Sequence, residues 1–122
     1  MKNTITWFEI PATDLDRAIK FYNTVLNTPV QRHPDFPPFM AFFVGEEMNV
    51  GGSIVQHNEY TPTTNGVLIY FDVGDDMQAV LDRIEPNGGK ILQGKTLITE
   101  EVGYMALFLD SEGNRIALHS QK

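Results

Sequence analysis

The chain has 122 residues, no cysteine and a formal net charge of −7, which excludes a disulfide framework, a thiolate nucleophile and Cys-ligated metal. At 42% apolar and 20% charged residues it has the make-up of one ordinary domain, able to take roughly two thirds of its extended-chain surface out of water. Its acidity argues against nucleic acid and anionic membrane as partners. No apolar run approaches the ~20 residues of a membrane helix, and Glu9 interrupts the N-terminal stretch early, so a cytoplasmic protein is expected.

Residues 5–12 (ITWFEIPA) are rich in β-branched and aromatic side chains and close on Pro11, as a strand end does. Asp14 then reads as a helix N-cap. Leu15, Ala18, Ile19, Tyr22, Val25 and Leu26 recur at spacings of three and four, predicting an amphipathic helix over 15–26 that Pro29 stops. Residues 39–44 (FMAFFV) and 50–57 (VGGSIVQH) read as strands joined by Gly45-Glu46-Glu47.

The second half repeats the plan. Residues 67–73 (VLIYFDV) predict a strand and Asp75 a second N-cap. Met77, Val80, Leu81 and Ile84 carry a helical period up to Pro86, and Asn87-Gly88-Gly89 supply a left-handed cap. Strands follow at 90–92, extended by a few residues, at 103–109 and at 114–120, the last two joined by the turn Asp110-Ser111-Glu112-Gly113. The halves match at a shift of 61 for Trp7, Glu9 and Asp14 on Leu68, Tyr70 and Asp75. A shift of 65 lays residues 40–44 on 105–109, and one of 62 lays His57 on His119. Two tandem βαβββ modules are the simplest account: module one at about 1–57, a polar connector at 58–66, and module two at about 67–122, together forming a single α+β domain.

One motif misleads. Gly89 to Thr96 (GKILQGKT) fits the phosphate-loop pattern letter for letter. A true phosphate loop follows a strand and opens a helix, whereas here a helix precedes and no helical period follows. Nucleotide binding by this segment is not expected.

Residues 14–22 (DLDRAIKFY), set just after a strand, resemble the first-helix signature of the vicinal oxygen chelate superfamily, which includes glyoxalase I, bleomycin-resistance proteins and extradiol dioxygenases. Residues 110–116 (DSEGNRI) are similar to its last hairpin, usually Asp-Pro-x-Gly-Asn, with Ser111 in place of proline. The likeness spans essentially the whole chain and is nearest to small proteins related to lactoylglutathione lyase. It implies a curved mixed sheet around a cleft between the modules, and a homodimer, with exchange of modules left open. In metal-dependent members His, Gln or Glu hold a divalent ion at positions that count here to Trp7, Val55, Leu68 and Ala117. None of these side chains offers a lone pair to a cation, so the resemblance implies no metal and no cofactor at the usual site.

Residues two apart on a strand face the same way. Glu9, His57, Tyr70 and His119 therefore share the side of the lost ligand positions and are expected at one level. Three readings follow: polar lining of a small-molecule pocket, acid–base chemistry by Glu9, His57 and His119 beside a carbonyl, or a displaced divalent metal site of two His and one Glu. Tyr70, Trp7, Phe36 and Phe39 are the candidate ligand-binding walls, the two phenylalanines from a proline-stiffened loop. Each aromatic has a plain packing role as its alternative. Two functions thus stay open: a metal-free binder of a small molecule, and a lyase- or isomerase-type enzyme related to lactoylglutathione lyase.

Overall fold

The structure, a computed structural model, describes residues 3–32, 39–44 and 50–122. Phe36 lies outside the described residues. The chain forms two compact units, residues 1–62 and 63–122, and each is a βαβββ module with its own four-stranded mixed sheet.

In unit 1, β1 (Trp7–Pro11) leads into α1 (Leu15–Val25). β2 (Val30–Arg32), β3 (Met40–Phe43) and β4 (Gly51–Val55) complete the sheet in the order β1-β4-β3-β2. β1 and β4 run parallel while the other pairs are antiparallel. Helix α1 starts where the sequence predicts, because two of its otherwise free amides find side chains. Asp14 accepts from Arg17 N at 3.1 Å, and Gln56 beyond β4 accepts from Leu15 N at 2.7 Å. Its stop differs from expectation. Asn27 takes the left-handed conformation at φ 53°, which ends the helix two residues before Pro29, and asparagine is among the few side chains that tolerate it.

Alternation along the strands divides the sheet into two faces. Phe8, Ile10, Ala41, Phe43 and Ile54 stand on one, and the Phe43 ring meets the buried Tyr22 of α1 edge-on at 5.5 Å. Leu15, Ala18, Phe21 and Val25 bury the rest of the helical stripe. The opposite face carries Trp7, Glu9, Met40, Phe42, Ser53 and Val55. Strand β2 went unread in the sequence. Only Val30 of its three residues is buried, and Asn23 fixes its start by accepting from Val30 N at 2.7 Å.

Unit 2 repeats the topology. β5 (Tyr70–Asp72), α2 (Met77–Ile84), a 3-10 turn at Glu85–Asn87, β6 (Lys90–Thr99), β7 (Gly103–Leu109) and β8 (Arg115–Ser120) follow in turn. The sheet order is β5-β8-β7-β6, with β5 and β8 parallel. Met77, Val80, Leu81 and Ile84 are buried as the period requires. The cap is Asp76, which accepts from Ala79 N at 3.1 Å, and not Asp75. The preceding residues form a separate turn, in which Asp72 accepts from Gly74 N at 2.9 Å and Gly74 has φ 68°. The first strand of the unit is shorter than the expected 67–73, and Val67 is 92% exposed.

Strand β6 is longer than predicted, ten residues against the seven of β7, and three register irregularities absorb the excess. Such bulges twist an edge strand and discourage sheet-to-sheet pairing. The segment that mimics a phosphate loop lies along this strand and opens no helix.

The β7–β8 hairpin is tied by one carboxylate. Asp110 Oδ1 accepts from Glu112 N and Asn114 N, both at 2.9 Å, and Oδ2 accepts from Asn114 Nδ2 at 3.0 Å. Asn114 Oδ1 in turn accepts from Thr63 N at 3.2 Å. Asp110 and Asn114 are both buried, so this motif is a polar knot that closes the turn.

Candidate ligand-binding site

Backbone hydrogen bonds align the two units more firmly than side-chain identities do. Ala12 N donates to Val55 O at 2.9 Å, and Val73 N donates to His119 O at 3.0 Å. Val55 is therefore the counterpart of His119, and Ser53 the counterpart of Ala117. The expected match of His57 to His119 is displaced by two residues. The expected common level fails with it. In unit 1, Glu9 pairs with Ser53, while His57 lies two residues beyond the end of β4. In unit 2, Tyr70 pairs with Ala117 and His119 with Asp72.

Within unit 1, Glu9 and His57 are joined through a residue that the sequence reading passed over. Tyr60 donates its hydroxyl to Glu9 Oε1 at 2.7 Å, and its ring meets the His57 imidazole edge-on at 5.9 Å. The tyrosine proton is held above the usual pKa of 10.0, first because it is donated to Glu9 and then because the Glu9 charge opposes a phenolate. His57 Nδ1 accepts from Glu59 N at 3.1 Å, which puts the proton of the neutral ring on Nε2. The Phe39 ring lies against it at 5.4 Å. Trp7 is 44% exposed and packs edge-on against Phe42, centroids 5.5 Å apart.

Within unit 2, Tyr70, Asp72, Ile98, Val102 and His119 line an open depression of about 460 Å3. The turn between β6 and β7 shapes it. Gly103 has φ 99°, and a Cβ there would run into the Ser120 carbonyl oxygen, so only glycine lets this turn fold back on β8. Val102 O thereby comes within 2.6 Å of His119 Nε2 and also accepts from Gln121 Nε2 at 3.2 Å. A carbonyl can only accept, so His119 carries its proton on Nε2, and Nδ1 of the neutral ring is left as an acceptor. Asp72 stands beside it in register. Asp72, Ile98 and Val102 were absent from the sequence-predicted set. Asp72 had a signal, two residues after Tyr70 on the same face, whereas Ile98 and Val102 had none.

A model of the glyoxalase/bleomycin resistance protein/dioxygenase superfamily matches residues 4–118. The chain belongs to that superfamily. A glyoxylase-like domain-containing protein of Didymella fabae is 30% identical over 118 residues, covering 93% of this chain and 91% of its own. Among solved structures, a glyoxalase/bleomycin resistance protein from Albidiferax ferrireducens T118 has a TM-score of 0.78 at 17% identity, over 98% of this chain and 100% of that one. The genomically encoded fosfomycin resistance protein FosX from Listeria monocytogenes has a TM-score of 0.71 at 15% identity, over 100% and 96% of the two chains. At these identities the structures speak for the fold.

Metal-dependent members of the superfamily hold a divalent ion, which needs oxygen or nitrogen donors with free lone pairs. Register replaces Val55 by Ser53 as the counterpart of Ala117, which leaves Trp7, Ser53, Leu68 and Ala117 at the implied positions. The indole nitrogen is a donor only, leucine and alanine have no donor pair, and a lone serine hydroxyl does not hold a divalent ion. These four positions do not fit the ion. Among the described residues no group of three or more His, Cys, Asp or Glu is placed to hold a metal.

Proposed function

We propose that this superfamily member binds a small, partly apolar molecule on the open face of the unit 2 sheet, and does so without a metal ion or other cofactor. The observation that supports the reading is His119. Its Nε2 is engaged by the Val102 carbonyl, while Nδ1 remains as an acceptor in a depression walled by Ile98, Val102 and Tyr70. Small-molecule sites have this make-up, an apolar wall with a few fixed polar groups. Asp72 adds a carboxylate at the rim. The assembly that goes with this reading is a cytoplasmic homodimer. No helix among the described residues is long and apolar enough to cross a membrane.

A second reading has its own observation. A backbone carbonyl that fixes the Nε2–H tautomer also orients the ring as a base, so His119 beside Asp72 would move a proton on the same ligand. This is the lyase- or isomerase-type version. Glu9 and His57 contribute less to it, since Tyr60 and the Glu59 amide already occupy one acceptor on each.

Metal content by elemental mass spectrometry, on protein purified without tag or chelator, tests the first reading. Well below one ion per chain is expected; near-stoichiometric zinc, iron, nickel or manganese would overturn it. The proton-moving version expects α-carbonyl compounds to exchange hydrogen for deuterium in heavy water, in a manner lost in His119→Gln. Binding without exchange refutes that version alone.

A further inference from the structure

Ser53 is wholly buried, and its Oγ is the one buried side-chain polar atom among the described residues without a hydrogen-bond partner. Buried hydroxyls are paired as a rule, because an unmade hydrogen bond costs more than a made one contributes. A ligand group that donates to this oxygen would supply the missing bond. Its surroundings describe that partner. In register, Ser53 lies between Glu9 on β1 and Phe42 on β3, on the face away from α1. The Trp7 indole meets Phe42 edge-on at 5.5 Å and spreads over Gly51, two residues before Ser53. A Cβ on Gly51 would stand 2.9 Å from the indole ring, so the missing side chain is what lets the ring lie there.

We propose that this patch of unit 1 is a subsite for a flat organic cation, an amidinium or aromatic ammonium, held by Glu9, the Trp7–Phe42 pair and the Ser53 hydroxyl. Each element selects for it. The exposed Glu9 carboxylate gives one oxygen to Tyr60 and keeps the other for a charged donor. Aromatic faces attract cations, most strongly indole. Ser53 Oγ, unpaired between Glu9 and Phe42 on the same face, accepts a hydrogen bond from the planar N–H group of the ligand. The whole chain, at −7, draws cations and repels anions. The subsite belongs to unit 1 alone, so its failure leaves the unit 2 reading standing, and the converse holds.

Trp7 is the only tryptophan of the chain, so its fluorescence reports this subsite directly. Benzamidine, benzamide and benzoate share one shape and differ in charge. Benzamidine is expected to change the Trp7 emission saturably, with a Kd at least about tenfold below that of benzamide, a ratio set by one charge-assisted hydrogen bond, and benzoate is expected to give no saturation. Glu9→Gln should erase the preference for benzamidine over benzamide. Ser53→Ala should weaken benzamidine severalfold while leaving the melting temperature of the free protein unchanged or raised, since it removes an unpaired hydroxyl. No saturable response to benzamidine, equal response to benzoate, or unaltered binding by Ser53→Ala would each overturn the proposal.

Discussion

Replacing Asp110 by asparagine changes almost no volume and should still cost much of the stability of the β7–β8 hairpin. The carboxylate accepts from two backbone amides at 2.9 Å and from Asn114 Nδ2 at 3.0 Å. An amide can keep the two backbone bonds, but they lose charge assistance, about 1 kcal/mol each. Its nitrogen would then face Asn114 Nδ2, donor against donor. Asn114 cannot turn over to relieve this without dropping Thr63 N, which its Oδ1 holds at 3.2 Å. One buried unpaired donor adds about 1 kcal/mol or more, for a total of ~3 kcal/mol. With an unfolding entropy of about 2.1 cal/mol/K per residue, that corresponds to a fall in melting temperature of about 12 °C. Urea unfolding at neutral pH, followed by circular dichroism with the slope compared between variants, measures the loss. A change below about 1 kcal/mol at unchanged slope would refute the view that this carboxylate holds the turn.

Three further outcomes are expected. Gly103→Ala should lower stability by about 1–3 kcal/mol, the usual cost of forcing a side chain into this backbone region, and should shift the NMR signals of His119 as the turn lifts off β8; a neutral effect on both contradicts the account of the depression. The Tyr60 phenol should titrate above 10.0 by absorbance and fall back toward that value in Glu9→Gln, since Glu9 supplies both the bond and the repulsion that raise it. The stability linked to this bond is present below pH 10 and is lost as pH rises through the folded-state value, because the unfolded phenol ionises first. Sedimentation should show a species of twice 13.8 kDa, and a monomer at micromolar concentration contradicts the homodimer.

The helices were legible because burial imposes a period on them. Leu15, Ala18, Tyr22 and Val25 each mark one turn of a single buried stripe. Strand β7 was equally plain, as a continuous apolar run bounded by Gly103 and Asp110. Strand β6 was legible only at its start, because the polar Gln93-Gly94-Lys95-Thr96 separates Leu92 from Leu97 and Ile98 and no buried face imposes an alternation. Two adjacent aspartates blurred the second cap by one residue, since either carboxylate fits the pattern and only the turn at Gly74 decides.

The register error at the site has a clear physical origin. A slip of one residue turns a strand inside out, but a slip of two leaves every side chain on its own face. The sequence therefore gave no warning when His57 was laid on His119 instead of Val55. Hydrogen bonds carry the register and side-chain alternation does not. Tyr60 was missed for another reason: it lies in a polar connector, and its partner Glu9 is 51 residues away.

The most direct measurement is a thermal-shift screen of a small-molecule panel in EDTA, run in parallel on the wild type and His119→Ala. Some compounds are expected to raise the melting temperature of the wild type, to do so equally with and without chelator, and to lose most of the effect in the variant. Hits that vanish in EDTA would show that a metal ion holds the ligand. Hits undiminished in His119→Ala, or a panel without hits, would contradict the placement of the ligand beside His119.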